Sequence, residues 1–190
     1  MTRDDLYPSE PPVLERERLR LRPLRAADAE AVLNLYSDPK VMRYLARPAF
    51  AELSQAHEFL EKALAAYAEG SNLQLAIERK SDGAFIGLCL LFRFNKPSAR
   101  AEIGYALGSG HWSRGYAGEA LAALVTHAFG PLALNRLEAD IDPRNLASAR
   151  VLERLGFQAE GRLRERWIVK GETSDSLMYG LLRREWKCPA

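Results

Sequence analysis

Residues 108–118, GSGHWSRGYAG, lie between a strand-like run, Arg100–Leu107 (RAEIGYAL), and an apolar stretch at helical spacing from about Ala117 to Phe129. A strand that hands over to a helix through a glycine-rich loop constrains a fold strongly. The loop brings the helix N-terminus, with its unbonded amides and positive dipole end, to the edge of a sheet. Gly108, Gly110, Gly115 and Gly118 let backbone amides approach an anion with no Cβ in the way. The nucleotide motifs that use this geometry are incomplete here. Gly110–Gly115 has GxxxxG spacing, but Tyr116 and Ala117 replace the Lys and Ser/Thr that a triphosphate loop needs. Gly108 and Gly110 begin a dinucleotide fingerprint, yet Ser113 stands at its third glycine. Gly108-Ser109-Gly110 only approaches a nucleophile elbow. By themselves the glycines suit an anion site or a plain surface loop equally.

Net charge bears on how an anion would be held. The 190 residues carry 27 Lys and Arg against 25 Asp and Glu, a formal charge of +2. Such a balance gives no global pull toward nucleic acid or acidic membranes, so an anion must be held locally. Arg162, Arg164 and Arg166 alternate with Leu163, Glu165 and Trp167 and read as the solvated face of a strand rather than a nucleic-acid surface. The length suits one domain, which buries roughly 70% of its unfolded surface without a disulfide or metal. No 18-residue apolar run is present, and MTRDDLYPSEPP lacks the apolar core of a secretory leader, so no membrane span and a cytoplasmic location are expected. Cys89 and Cys188 read as ordinary reduced residues, and His57, His111 and His127 have no metal-ligand spacing, so no metal is expected.

Along the chain, residues 1–12 form a polar, proline-bearing arm, 13–186 a single domain and 187–190 a tail. A half-buried strand is expected over Glu15–Leu24, where Leu19, Leu21 and Leu24 alternate with charge. A helix through Ala31, Val32 and Leu35 should stop near Ser37-Asp38-Pro39. Val41–Phe50 reads as irregular, and a longer helix capped by Ser54 should run to about Glu69 before Gly70. Alternating Leu73–Arg79, apolar Phe85–Phe94 and Arg100–Leu107 make a meander. After the loop and its helix come a strand at Arg136–Asp142, a helix at Asn145–Leu155, and a hairpin of Arg162–Lys170 and Thr173–Leu182 around Gly171. The order β-α-α-β-β-β-α-β-α-β-β points to an α+β fold with one β-α-β crossover.

A second motif follows the loop. Residues 142–157, DPRNLASARVLERLGF, combine a cap at Asn145, an apolar stripe and a stop at Gly156. Together AEIGYAL, WSRGYAGEAL and NLASARVLERLGF resemble the GCN5-related N-acetyltransferase (GNAT) superfamily, with LRLRPLRAAD resembling its ribosomal-protein-alanine acetyltransferase-like (RimJ/RimL-like) branch. The resemblance covers roughly Val13 to Leu182. It implies a mixed, mostly antiparallel sheet of about seven strands flanked by about four helices and splayed at the cofactor site. It implies acetyl-CoA as co-substrate and transfer of an acetyl group to a primary amine by direct attack.

The family's Q/R-x-x-G-x-G/A loop falls on Trp112-Ser113-Arg114-Gly115-Tyr116-Ala117, with Trp112 departing from Gln or Arg. The resemblance therefore implies that amides of Arg114, Gly115, Tyr116, Ala117 and Gly118 hold the pyrophosphate. Gly118 stands where relatives often carry Ser or Thr. It also implies that Ala106 and Leu107 lie near the thioester and that Asn145 contacts the pantetheine. Arg114 either supports the phosphates or is a solvated charge. Glu102 is the candidate base, directly or through water, or else pairs with Arg100. Ser148 is the candidate acid, or merely bonds the backbone, with Tyr105 as its substitute unless that side chain enters the core. Asp140 and Glu138 read as structural or substrate-lining, and Glu119 as favouring its helix N-terminus.

The acceptor is left open between a protein N-terminal α-amine and a small-molecule amine such as a polyamine, an aminoglycoside or an amino-acid-like compound. A non-catalytic acyl-CoA-binding module is the other alternative, and monomer and homodimer fit equally. The Tyr36–Phe50 segment, expected beside the acceptor, has only Asp38 against Lys40, Arg43 and Arg47, which disfavours polycations.

Overall fold

A computed structural model describes residues 10–169 and 171–188. Its elements are β1 (Leu14–Glu15), β2 (Leu19–Pro23), α1 (Ala29–Ser37), α2 (Pro39–Met42), α3 (Leu53–Ala68), β3 (Asn72–Arg79), β4 (Ala84–Asn95), β5 (Arg100–Leu107), α4 (Tyr116–Phe129), β6 (Arg136–Ile141), α5 (Leu146–Arg154), β7 (Gln158–Val169) and β8 (Glu172–Leu182). The expected mixed fold is present, as one sheet of eight strands among the described residues, ordered β1-β2-β3-β4-β5-β6-β8-β7. Every pairing is antiparallel except β5 with β6, the pair joined by the α4 crossover.

Several local expectations are corrected. The first strand is two, because the chain turns at residues 16–18 and Leu14 pairs back on Leu21. Its polar face is not wholly solvated: Arg22 is buried and donates from both Nη atoms to Asp28, at 2.9 and 2.8 Å, and from Nε to Glu78 at 2.6 Å. The segment expected to be irregular opens with α2, where Asp38 Oδ1 accepts from the Lys40 amide at 2.9 Å and Pro39 takes the first helical position. At α3, Gln55 Oε1 accepts from the Ala51 and Glu52 amides, so the cap falls at Glu52 and Ser54 lies inside the helix. β3 is buried on both faces from Leu73 to Ile77, where alternation had suggested one. β7 begins four residues earlier than expected, at Gln158. The expected arm mostly lies outside the described residues; Glu10, at its described end, accepts a hydrogen bond from the Tyr67 hydroxyl through its carbonyl.

The sheet is covered on both faces. Leu75, Ile77, Cys89, Leu121, Leu124 and Leu137 belong to one apolar cluster, which includes α4 and α5. Val32, Leu35, Leu60, Ala76, Leu88 and Ala106 belong to the other, beneath α1 and α3. Helix α4 is the better buried, with Ala120 through Val125 all inside, so its alanines let it lie close to the strands. Truncating a fully buried side chain such as Leu121 to Ala would cost about 2–5 kcal/mol.

One departure from regular pairing positions the site. β5 and β6 pair only over Arg100–Glu102 with Arg136–Glu138. Beyond Glu102, residues 103–107 stay on β4 while residues 139–141 stay on β8, and the sheet opens into a wedge. It opens toward the C-terminal ends of two parallel strands, where α4 and α5 begin, the place where open sheets receive ligands.

Candidate active site

The Gly108 amide donates to the Ile86 carbonyl at 3.0 Å, and Leu107 sits opposite Gly87. Antiparallel pairs alternate between bonded and unbonded, so the amides of Tyr105 and Leu107 turn away from β4 toward the wedge. Trp112, the departure from the family loop, donates from Nε1 to the Leu107 carbonyl at 2.8 Å. It fastens the loop to the end of β5.

Gly115 precedes α4 at a φ of 79°, a left-handed conformation that disfavours any side chain there. The first amide of this turn to find an acceptor is that of Glu119, on the Gly115 carbonyl at 3.1 Å. The amides of Tyr116, Ala117 and Gly118 ahead of it are therefore free of the helix ladder. A Cβ built on Gly110 or Gly118 meets nothing within 4 Å, so the cradle has open space, and the 14-residue α4 aims its dipole at it. The residues present fit a phosphate group.

Arg18, one of the charged residues of the expected half-buried strand Glu15–Leu24, clamps this cradle. Its amide and Nε donate to Glu119 at 2.8 and 2.7 Å, and its Nη1 donates to the Arg114 carbonyl at 3.0 Å. Glu119 would repel a bound anion, and Arg18 offsets that charge. Only the distant position of Arg18 hid this, because the contact spans 101 residues. Arg114 itself is exposed.

A cavity of about 610 Å³ continues from the wedge, lined by Glu102, Tyr105, Ala106, Asn145 and Ser148 among others. These five candidates come together; Leu107, Trp112 and residues 114–118 stand outside the cavity, at the C-terminal end of β5 and the start of α4. Strand alternation puts Glu102 and Ala106 on one face of β5 and Tyr105 on the other.

Glu102 is buried and takes Arg93 Nη1 on both carboxylate oxygens, each at 3.0 Å. The expected alternative partner was Arg100, which bonds Glu138 instead at 2.6 Å. A bulge explains the exchange: Phe92 faces Glu102 and Asn95 faces Arg100, leaving Arg93 and Phe94 opposite Ala101, with Arg93 at a φ of 51°. A bulge leaves no clear mark in the apolar run of β4, so Arg93 was not foreseen.

Ser148 does more than bond the backbone. Asn145 Oδ1 accepts from the Ser148 amide at 3.1 Å, capping α5, while the Ser148 hydroxyl accepts from Tyr105 at 2.9 Å. Tyr105 is directed to Ser148 and the cavity rather than wholly into the core. Burial pushes its phenol up, and the Ser148 hydrogen bond offsets part of that. Asp140 also lines the cavity and accepts from Arg166 Nε at 3.0 Å and from Trp167 Nε1 at 3.3 Å. Arg162 likewise donates to Asp175, so two of the three arginines read as solvated are ion-paired. Glu138, held by Arg100 and Arg136, is structural.

Cys89 is buried outside this cavity, and burial pushes its thiol up. Among the described residues no cluster of three or more His, Cys, Asp or Glu side chains could hold a metal ion, and no helix is long and apolar enough to cross a membrane.

Comparison with known proteins agrees with the geometry. The family model for the acetyltransferase (GNAT) domain matches residues 18–158. A relative from Bacillus licheniformis, named uncharacterized N-acetyltransferase p20, is 38% identical over 170 residues, 90% of this chain and 96% of the relative. The spermidine N(1)-acetyltransferase of Escherichia coli (strain K12) is 23% identical over 168 residues, 88% of each. Mycobacterium smegmatis RimJ, solved in complex with CoA-disulfide, has a TM-score of 0.84 at 26% identity, covering 94% of this chain and 91% of that one.

Proposed function

The chain belongs to the GNAT family of N-acetyltransferases, and on that premise we propose that its 13–186 domain transfers the acetyl group of acetyl-CoA directly to a protein N-terminal α-amine of the ribosomal-protein type. The observation that carries this reading is the wedge between β5 and β6, with free amides at its mouth, amides pointing into it and a hydroxyl pair beside it.

Acetyl-CoA supplies a thioester-activated acetyl group. The residue 114–118 amides hold its pyrophosphate, and the Asn145 side-chain N–H2 donates to the pantetheine while Oδ1 keeps the cap. The Leu107 N–H, turned into the wedge, faces the negative charge that develops on the acetyl oxygen. Glu102 takes the proton of the incoming ammonium, directly or through water, from the opposite face of β5 to Tyr105. Because Tyr105 donates to Ser148, the hydrogen on Ser148 remains for the departing thiolate. Glu102 would thus serve the incoming amine from one face of β5 and the Tyr105–Ser148 pair the departing thiolate from the other.

Two features favour an α-amine over a polyamine. An α-amine has a pKa near 8, against about 10.4 for an alkylamine, and loses its proton more readily. The cavity wall drawn from residues 36–74 contributes Arg43 and Arg47 and no carboxylate, and four of the five carboxylates on the rest of the wall are already bridged by arginines. Replacing Glu102 with Gln and Ser148 with Ala together tests the reading. Loss of turnover with the acetyl-CoA thermal shift retained supports catalysis here; unchanged thiol release would leave an acyl-CoA-binding module.

A further inference from the structure

Arg47 carries a charge for which the protein provides no anion. Its guanidinium lies over Tyr36, Phe50 and Phe59, with 4.3, 4.5 and 5.1 Å to the ring centroids. The rings of Tyr36 and Phe50, Tyr36 and Phe59, and Phe50 and Phe59 meet edge to face, so the seat is rigid. Arg47 Nε is buried without a hydrogen-bond partner, and no Asp or Glu among the described residues pairs with the guanidinium. Tyr36 does not neutralise it, since burial pushes that phenol up to about 12 and keeps it protonated. The guanidinium also hydrogen-bonds the Tyr36 side chain, but that partner is neutral, and neither it nor the cation–π contact gives the buried Nε an acceptor.

The rest of the cavity shows where such an acceptor would come from. Of the five carboxylates that line it among the described residues, Glu102, Asp140, Asp142 and Asp175 are each bridged by an arginine, Arg93, Arg166, Arg144 and Arg162, and Glu172 interacts with Arg144. Arg47 lines the same cavity without a carboxylate partner among the described residues, and the nearby Arg43 feels only Asp142, a carboxylate already bridged by Arg144. Both lie on the α1–α3 face, the face of β5 that presents Glu102. A ligand whose amine is at Glu102 would place an anionic group against Arg47.

We propose that Arg47, assisted by Arg43, binds a carboxylate carried by the acceptor a few bonds from its amine. This rests on the acetyltransferase reading and narrows its substrate class. The carboxylate belongs either to the side chain after a protein N-terminal residue or to an amino-acid-like small molecule. Guanidinium and carboxylate match as a two-pronged pair, and an aromatic seat fixes the guanidinium before the acceptor arrives.

The test compares wild-type kcat/KM for Ala-Glu-amide with Ala-Gln-amide, and for alanine with alaninamide. At least one pair should favour the carboxylate by about tenfold or more, equivalent to about 1.4 kcal/mol. The first pair identifies a peptide side chain, the second a small molecule. R47Q should erase most of that preference through KM, and R47K should restore part of it. Turnover of the neutral amines with no carboxylate preference in either pair would overturn this proposal and leave the acetyltransferase reading standing. No turnover of any amine by folded protein that binds acetyl-CoA would overturn both. Should R47Q fail to fold, the wild-type comparison still decides.

Discussion

The Tyr105 hydroxyl donates to the Ser148 hydroxyl at 2.9 Å, joining the middle of β5 to the first turn of α5 across the opened sheet. Two residues that read as rival acids are therefore hydrogen-bonded to each other, and the proposed mechanism uses them as one relay. Each should lose function when the other is missing, so Tyr105→Phe and Ser148→Ala should not add. Removing either slows kcat by about 10²-fold if the relay acts as a general acid, and the double variant is slower by little more. A double-mutant cycle on kcat checks this; fully multiplicative losses would separate the two side chains.

The same contact sets an expectation for pH. Burial holds the Tyr105 proton beyond its ordinary range, outweighing the opposing effect of Ser148. A raised acid stays protonated as pH increases, so the relay keeps its proton at least as far into alkali as an ordinary tyrosine does. Turnover should rise from acid pH as the acceptor amine loses its proton, then hold a plateau. An alkaline fall centred near about pH 8 that Tyr105→Phe abolishes would contradict this, given an ordinary tyrosine near 10.

Two glycines of the cradle should respond in opposite ways. Gly115→Val forces a β-branched residue into a left-handed conformation and puts a Cβ 3.3 Å from Arg18 Nη2, so the acetyl-CoA thermal shift should disappear. Gly118 has open space around it and lies inside α4, where leaving glycine gains up to about 1 kcal/mol of helix stability. Gly118→Ser should raise Tm without ligand and tighten acetyl-CoA severalfold through a new hydroxyl contact. Calorimetric titration of both variants distinguishes the cases; weaker binding by Gly118→Ser would place the phosphate elsewhere.

The backbone of the site was legible before the side-chain pairs were. Strand, glycines and apolar helix occur consecutively, so Arg100–Phe129 declared β5, the loop and α4 by local period alone. Asn145 declared its helix by the same local chemistry, since a cap and its amide are three residues apart. Arg93, Arg18 and Arg47 were invisible for a different reason. Their partners are fixed by a bulge, by strand order and by a ring cluster, and a charged residue reads alike on a solvated face and in a built contact. Arg22 shows the same limit, its burial depending on Asp28 and Glu78 from other elements. The extra strand and helix turned on single turns at residues 16–18 and 39–42, where periodicity has too few residues to register.

Chemical transfer through the wedge is tested most directly by stoichiometry. Protein, acetyl-CoA and an alanine-terminated peptide are mixed, free thiol is followed in time, and peptide and protein masses are taken from the same samples. Thiol release should match N-terminally acetylated peptide one for one, should stop without peptide, and should leave the protein unmodified. Thiol release that does not depend on any amine, or an acetylated protein that forms before product, would contradict direct transfer to the acceptor.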